Sequence, residues 1–206
     1  MSRYFQIHPE NPELRLIRQA VEIVRQGGVI AYPTDSGYAL GCHIGDKTAQ
    51  DRLRQIRQLG PKKNFTLICR DLNEIGTYAV FDTPVYRLLR AHTPGPYTFI
   101  LRATREVPRR LQNAKRKTIG MRIPDHPITR ALLSELEEPM LTTSLIMPGD
   151  EDPLNDPEEI RIRLEYDIDL VIDSGACGIV PTTVVDLTDT VPKITRIGKG
   201  NPVHFQ

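Results

Sequence analysis

Apolar positions recur along this chain with two periods, and the switching between them sets the order of its elements. Leu14, Ile17, Val21 and Val24 fall three or four residues apart, which predicts a first helix. Asn11 is its expected cap, Pro12 suits its first turn and Gly27 stops it. VIAYP at 29–33 follows as a buried strand. A second helix is expected over 47–59, with Ala49, Leu53 and Ile56 on one face and Gly60-Pro61 ending it. NFTLICR reads as a strand. TPVYRLLRAH reads as a helix capped by Thr83 with Pro84 in its first turn, and YTFILRA as a strand rich in β-branched and aromatic residues.

The second half continues the mixture. TIGMRI, PMLTTSL, IDLVID, TTVVDLT and KITRIG predict strands, while PITRALLSEL and DPEEIRIRLEY predict helices. Strands interspersed with helices predict an α/β fold, a single domain over 1–206 with one twisted, mixed, open sheet and flanking helices. The clusters PTDSGY, TTS, DSG and PTT each sit beside an apolar strand. Ligands gather at strand ends in open α/β sheets, so these clusters are expected to converge. Taken alone, PTDSGY also suits a tight turn, because Pro presets φ and Gly admits positive φ.

Composition narrows the class. A hydrophobic fraction of 39% with 26% charged residues describes a globular chain. There is no apolar run long enough for a membrane helix and no charged-then-apolar leader, so the expected location is cytoplasmic, with no membrane partner. Cys42, Cys69 and Cys177 are odd in number and lack CxxC spacing, which favours buried reduced thiols over disulfides or zinc. The five His residues show no metal-ligand spacing. The net charge of +1 hides segregation: residues 102–122 hold eight Lys and Arg against one Glu, while GDEDPLNDPEEI is acidic. The basic run is either a solvated face or a face for anions. No GxxxxGK[ST], strand-linked GxGxxG, HExxH or GxSxG occurs, so nucleotide chemistry here would need another cradle.

YPTDSGYALGC, TPGPYTFIL, IGMRIPDHP, TTS, PTTVVDLT and TRIG occur in an order and spacing that resembles the YrdC/YciO family, its YciO branch in particular, from about Ala20 to Gly198. The resemblance implies a twisted α/β domain with a large, basic cavity associated with double-stranded RNA or tRNA. It also implies synthesis of threonylcarbamoyl-adenylate from L-threonine, bicarbonate and ATP, with pyrophosphate released, in the formation of threonylcarbamoyladenosine on tRNA. Under it, Thr34, Ser36 and Tyr38 would face the amino acid. Arg57, Arg122, Ser144, Thr182 and Arg196 would face ATP and its phosphates. Lys62 and Lys63 of GPKKNF, close by in sequence, either supply replacement charge or form an exposed basic loop. Arg109, Arg110, Lys115, Arg116 and Lys117 are the candidate RNA contacts. Arg suits phosphate because its fork donates two parallel hydrogen bonds. The reaction requires placement and positive charge rather than a protein nucleophile. Mg²⁺ would travel with ATP, as no carboxylate cage is legible for it.

The chain departs from the synthase pattern at the pairs those enzymes carry as Lys-x-Arg and Ser-x-Asn. Arg57 and Leu59 stand at the first, Ser144 and Ile146 at the second, and Ser36-Gly37-Tyr38-Ala39 replaces a Thr-Val-Tyr-Gly stretch. Each hydrogen bond lost to a charged group removes roughly 1.5–3 kcal/mol, about tenfold or more in affinity. Weak or absent synthase activity is therefore expected. The alternative is a non-catalytic module that binds double-stranded RNA or tRNA; a small-molecule-binding protein with an unrelated ligand also stays open.

Overall fold

The computed structural model describes residues 1–60 and 65–205. The apolar stripe Ile17, Val21 and Val24 is buried on helix α1 (Leu14–Arg25), which packs beside α5 (Pro127–Leu136). Both lie on one face of a sheet built from β1 (Arg3–Gln6), β2 (Ile30–Thr34), β3 (Gly37–His43), β4 (Thr66–Ile68), β5 (Ala79–Val80), β6 (Tyr97–Ala103), β7 (Thr118–Arg122), β8 (Met140–Ser144), β9 (Leu170–Asp173), β10 (Thr183–Asp186) and β11 (Lys193–Arg196). The strand order is β1-β9-β2-β3-β8-β4-β7-β6-β10-β11, with β5 beside β6. Four neighbouring pairs are parallel, β1/β9, β9/β2, β4/β7 and β6/β10, and the rest antiparallel. The expected mixed, open α/β sheet is the one that forms.

Strand alternation divides the core in two. Ile30 and Tyr32 pack with α1 and α5, as do Ile68, Met140, Leu170 and Ile172. Ala31, Leu40, Leu67, Phe99 and Leu101 point the other way, toward Leu53 of α2 (Lys47–Ile56), Ile75 of α3 (Leu72–Tyr78), Leu89 of α4 (Thr83–His92) and Ile160 of α6 (Pro157–Leu164). On the first face α1 and α5 cover the β9, β2, β3 and β8 half, and among the described residues no helix covers the remainder. Among the described residues no helix is long and apolar enough to cross a membrane.

Several local expectations are corrected. Helix α1 starts at Leu14 with Glu13 in the cap position, and Asn11 instead donates its backbone N–H to His8 Nδ1. Helix α2 ends at Ile56 rather than Leu59, because Gln58 turns to φ 46° and the Leu59 N–H returns to the Arg54 carbonyl at 2.9 Å. Asp82, one residue before Thr83, caps α4 by accepting the Val85 N–H at 3.0 Å. Strands β1, β3 and β5 and helix α3 are additional to the sequence expectation.

Candidate functional site

The uncovered half of the sheet holds a cavity of about 320 Å³. Its floor is a row set by register: Thr142 pairs with Thr66, Thr66 with Gly120, and Gly120 with Ile100. By the two-residue alternation, Thr66 shares a face with Ile68, and Thr142 with Met140, so the polar floor continues the face that α1 and α5 cover elsewhere. A Cβ at Gly120 would stand 2.9 Å from Thr66 Oγ1 and 3.4 Å from Thr98 Cγ2, so glycine keeps the floor clear. Thr98 and Thr118 add further hydroxyls, while Phe65, Ile100, Ile119 and Val184 supply apolar wall. PTDSGY, TTS and PTT thus converge as expected, but across the sheet face rather than only at strand ends, while DSG is not among the lining residues.

Positive charge enters from three strand-associated arginines. Arg122, at the end of β7, is 7% exposed and forms an ion pair with Asp35 in the tight turn between β2 and β3. Arg122 Nε and Asp35 Oδ2 are buried without partners among the described residues. Burial lowers the pKa of Arg122, while Asp35 opposes that loss of charge. Arg196, at the end of β11, donates from Nε and Nη2 to the Thr182 carbonyl at 3.0 and 2.8 Å. Its Nη2 also reaches Thr182 Oγ1 at 3.0 Å, and that hydroxyl shares a hydrogen bond with Thr98 Oγ1 at 2.8 Å. Burial first, and then the charge of Arg122, lower the pKa of Arg196, so the two guanidiniums sense one another. Arg116 enters from the loop before β7, its Nη1 2.7 Å from Asp186 Oδ2. Burial raises the Asp186 carboxyl, but its bonds to Arg116 and Thr188 outweigh this and hold it below the usual range.

The PTDSGY segment is both turn and wall. Thr34 pairs with Gly37, leaving Asp35-Ser36 as a two-residue hairpin loop. Thr34 Oγ1 donates to the Gly37 carbonyl at 2.6 Å and accepts the Ser36 N–H at 3.2 Å. Gly37 holds φ 130°, and a Cβ there would meet the Gly178 carbonyl at 2.6 Å. Lys199 Nζ donates to the Asp35 carbonyl, closing the turn from the C-terminal side. Tyr38 lines the cavity, yet its hydroxyl donates to the Gly175 carbonyl at 2.9 Å and accepts the Ser174 N–H at 3.3 Å.

Of the residues singled out in the sequence, Thr34, Ser36, Tyr38, Arg116, Arg122, Ser144, Thr182 and Arg196 line the cavity. Arg57 does not. It lies buried at the end of α2, outside the cavity lining, and its Nε has no partner among the described residues. Burial lowers its pKa. Lys62 and Lys63 lie outside the described residues. Arg109, Lys115 and Lys117 are exposed on the loop that also brings Arg116 and Asn113 to the cavity. Arg110 is tied to Gln50 Oε1 at 2.8 Å and the Gly45 carbonyl at 3.0 Å. Leu59 is half-buried against the larger core, and Ile146 is half-buried in the segment after β8. Cys42 and Cys69 are buried free thiols, and Cys177 is half-buried.

Thr66, Thr98, Thr118, Asn113 and Asp35 were not singled out by the sequence. The available signal was threonine two residues from an apolar position on the same strand, as in Thr66-Leu67-Ile68 and Thr98-Phe99-Ile100.

A family model described as telomere recombination, covering Sua5, YciO and YrdC proteins, matches residues 22–198. YciO of Escherichia coli K12 is 60% identical over 205 residues, covering 100% of both chains. The crystal structure of E. coli YciO aligns over 100% of both chains with a TM-score of 0.97 at 59% identity. The threonylcarbamoyl-AMP synthase of Vibrio vulnificus YJ016 is 30% identical over 159 residues, 76% of this chain and 84% of that one. The crystal structure of P. abyssi Sua5 complexed with L-threonine aligns with a TM-score of 0.88 at 25% identity, over 96% of this chain and 58% of that one. With the family's motifs lining one cavity on one shared sheet, the chain belongs to the Sua5/YciO/YrdC family.

Proposed function

We propose that the cavity binds an adenosine nucleotide together with a small carboxylate, and that the protein has a weak threonylcarbamoyl-adenylate synthase-type activity on L-threonine, bicarbonate and ATP. The observation that carries this is the meeting of Arg122 and Arg196, from separate strands, over a floor of threonine hydroxyls. In this reading Arg196 and Thr182 hold phosphate. Arg122, backed by Asp35, faces the carboxylate. Arg196 is already aimed by its two bonds to the Thr182 carbonyl, so little rotamer freedom is lost when phosphate arrives. A carbamate oxygen can then attack the α-phosphorus while pyrophosphate leaves, with the protein contributing position and charge. Any Mg²⁺ would come with the phosphates, since no carboxylate is among the cavity-lining residues described. The relation to the Vibrio synthase, and the L-threonine complex of Sua5, support the same substrate class.

The test is mass spectrometry for threonylcarbamoyl-adenylate after incubation with all three substrates, comparing wild type with Ile146→Asn. Ile146 is the cleaner site, because Leu59 packs on the core and Leu59→Arg would drive a guanidinium into it. The expected result is a trace of product in wild type and about tenfold more in Ile146→Asn, one regained hydrogen bond to a charged group. No product from either protein would contradict the reading.

The exposed Arg109, Lys115 and Lys117 beside the cavity rim favour a second reading, binding of double-stranded RNA or tRNA without catalysis. RNA held this way would dissociate steeply with added salt, because phosphate contacts release counterions. Retention of RNA that is indifferent to salt would contradict it.

A further inference from the structure

Three guanidiniums reach the cavity, yet two are already neutralised from within the protein. Arg122 pairs with Asp35, and Arg116 with Asp186 at 2.7 Å. Both carboxylates are protected from solvent, their side chains being 10% and 7% exposed; Arg122 is buried with its acid, so water screens that pair little, whereas Arg116 is half-exposed and its pair is screened more. Neither acid is itself among the cavity-lining residues, so each acts from behind its arginine. Only Arg196 lacks a carboxylate: its partners are the carbonyl and hydroxyl of Thr182, both neutral. Its Nη1 carries no hydrogen bond among the described residues. Among the described residues, the other polar groups that line the cavity are hydroxyls and the Asn113 amide, which carry no charge.

This balance sets how much anionic charge the cavity can hold. A phosphate monoester carries roughly −1.5 to −2 charge and the doubly substituted phosphate of an acyl adenylate about −1, while a triphosphate adds two more anionic groups. One free guanidinium and a row of hydroxyls match the former. Further phosphates would meet arginines whose charge is already answered, and Asp35 and Asp186 would repel them. Resting on the nucleotide reading above, we propose that the cavity selects a nucleoside bearing one phosphate, as in a monophosphate or an acyl adenylate, over a nucleoside triphosphate. Such a site holds the adenylate end of the synthase reaction more tightly than its ATP end.

The experiment is calorimetric titration of the full chain in magnesium-free buffer with AMP, with ATP and with adenosine, in wild type, Asp186→Asn and Asp35→Asn. AMP is expected to bind about tenfold or more tightly than ATP in wild type, with adenosine weaker than AMP. Removing either carboxylate frees one arginine, and the AMP preference should then shrink by roughly fivefold. Asp186 lies away from the turn, so this variant serves if Asp35→Asn fails to fold. ATP binding more tightly than AMP to wild type would overturn the selection and leave the nucleotide reading standing. An unchanged ratio in a folded Asp186→Asn would overturn the charge argument. Failure of all three ligands to bind would overturn the nucleotide reading, and the selection with it.

Discussion

Gly37 shows how one residue joins backbone geometry to the site. Its φ of 130° is a conformation L side chains rarely adopt, and the Gly178 carbonyl fills the space a Cβ would need. The turn it closes carries Asp35, and Asp35 holds Arg122. Gly37→Ala should therefore destabilise the fold by about 1–3 kcal/mol and weaken nucleotide binding together with it. Thermal unfolding and titration on the same samples check this. A stable variant that also binds normally would show that the turn does not position Arg122. At this scale the sequence revealed Thr34, Ser36, Arg122, Ser144, Thr182 and Arg196, because they lie in short ordered motifs, but not Thr66, Thr98 or Thr118. It could not reveal the acids behind them: Asp35 and Arg122 are 87 residues apart, and their pairing depends on how β2 and β7 lie in the sheet. Nor could it show that the Tyr38 hydroxyl is already engaged by the loop after β9.

At the scale of elements, helix α5 begins without the usual cap. His126 occupies that position with no side-chain cap hydrogen bond, and its Nδ1 is buried and unpartnered among the described residues. Burial lowers its pKa below the ordinary histidine value, with Asp35, Glu10 and Asp125 opposing. The folded chain thus disfavours the protonated ring. As pH falls below about 6.5 the unfolded chain takes up the proton first, so stability falls with it. His126→Asn supplies a preferred cap, should add about 0.5–1 kcal/mol at neutral pH, and should remove the loss that sets in below about pH 6.5. Urea midpoints across that range test it, and an unchanged slope with pH would contradict the account. Helices with a clear stripe, such as α1 and α5, were legible in the sequence. Strand β3 was missed because GYALGCH is rich in Gly, Ala and Cys and is buried along nearly its whole length, so it shows neither β-propensity nor alternation. Edge strand β1, four residues long and half-exposed, gives an equally faint pattern. Helix α3 is short, and its start rests on Asp71 Oδ1 accepting the Glu74 N–H at 2.9 Å.

At the scale of the whole molecule, the fold places two cores on one sheet and leaves part of one face uncovered. Helices α1 and α5 seal the half toward β9 and β2 with apolar side chains. Over β8, β4, β7, β6 and β10 the same face turns polar, and there the family's separated motifs meet. The mixed α/β class followed from alternating periods along the chain. The order of strands did not, because β8 and β9 enter between strands far earlier in sequence and their places depend on long-range pairing. The proposed function rests on that meeting: charge and hydroxyls brought together over a clear floor are what would hold a phosphate. The most direct measurement is the electron density of a crystal soaked with AMP. The account predicts the phosphate within hydrogen-bond distance of Arg196 and the Thr182 hydroxyl, with the nucleoside over Gly120. A nucleotide bound elsewhere with this cavity unfilled would contradict it.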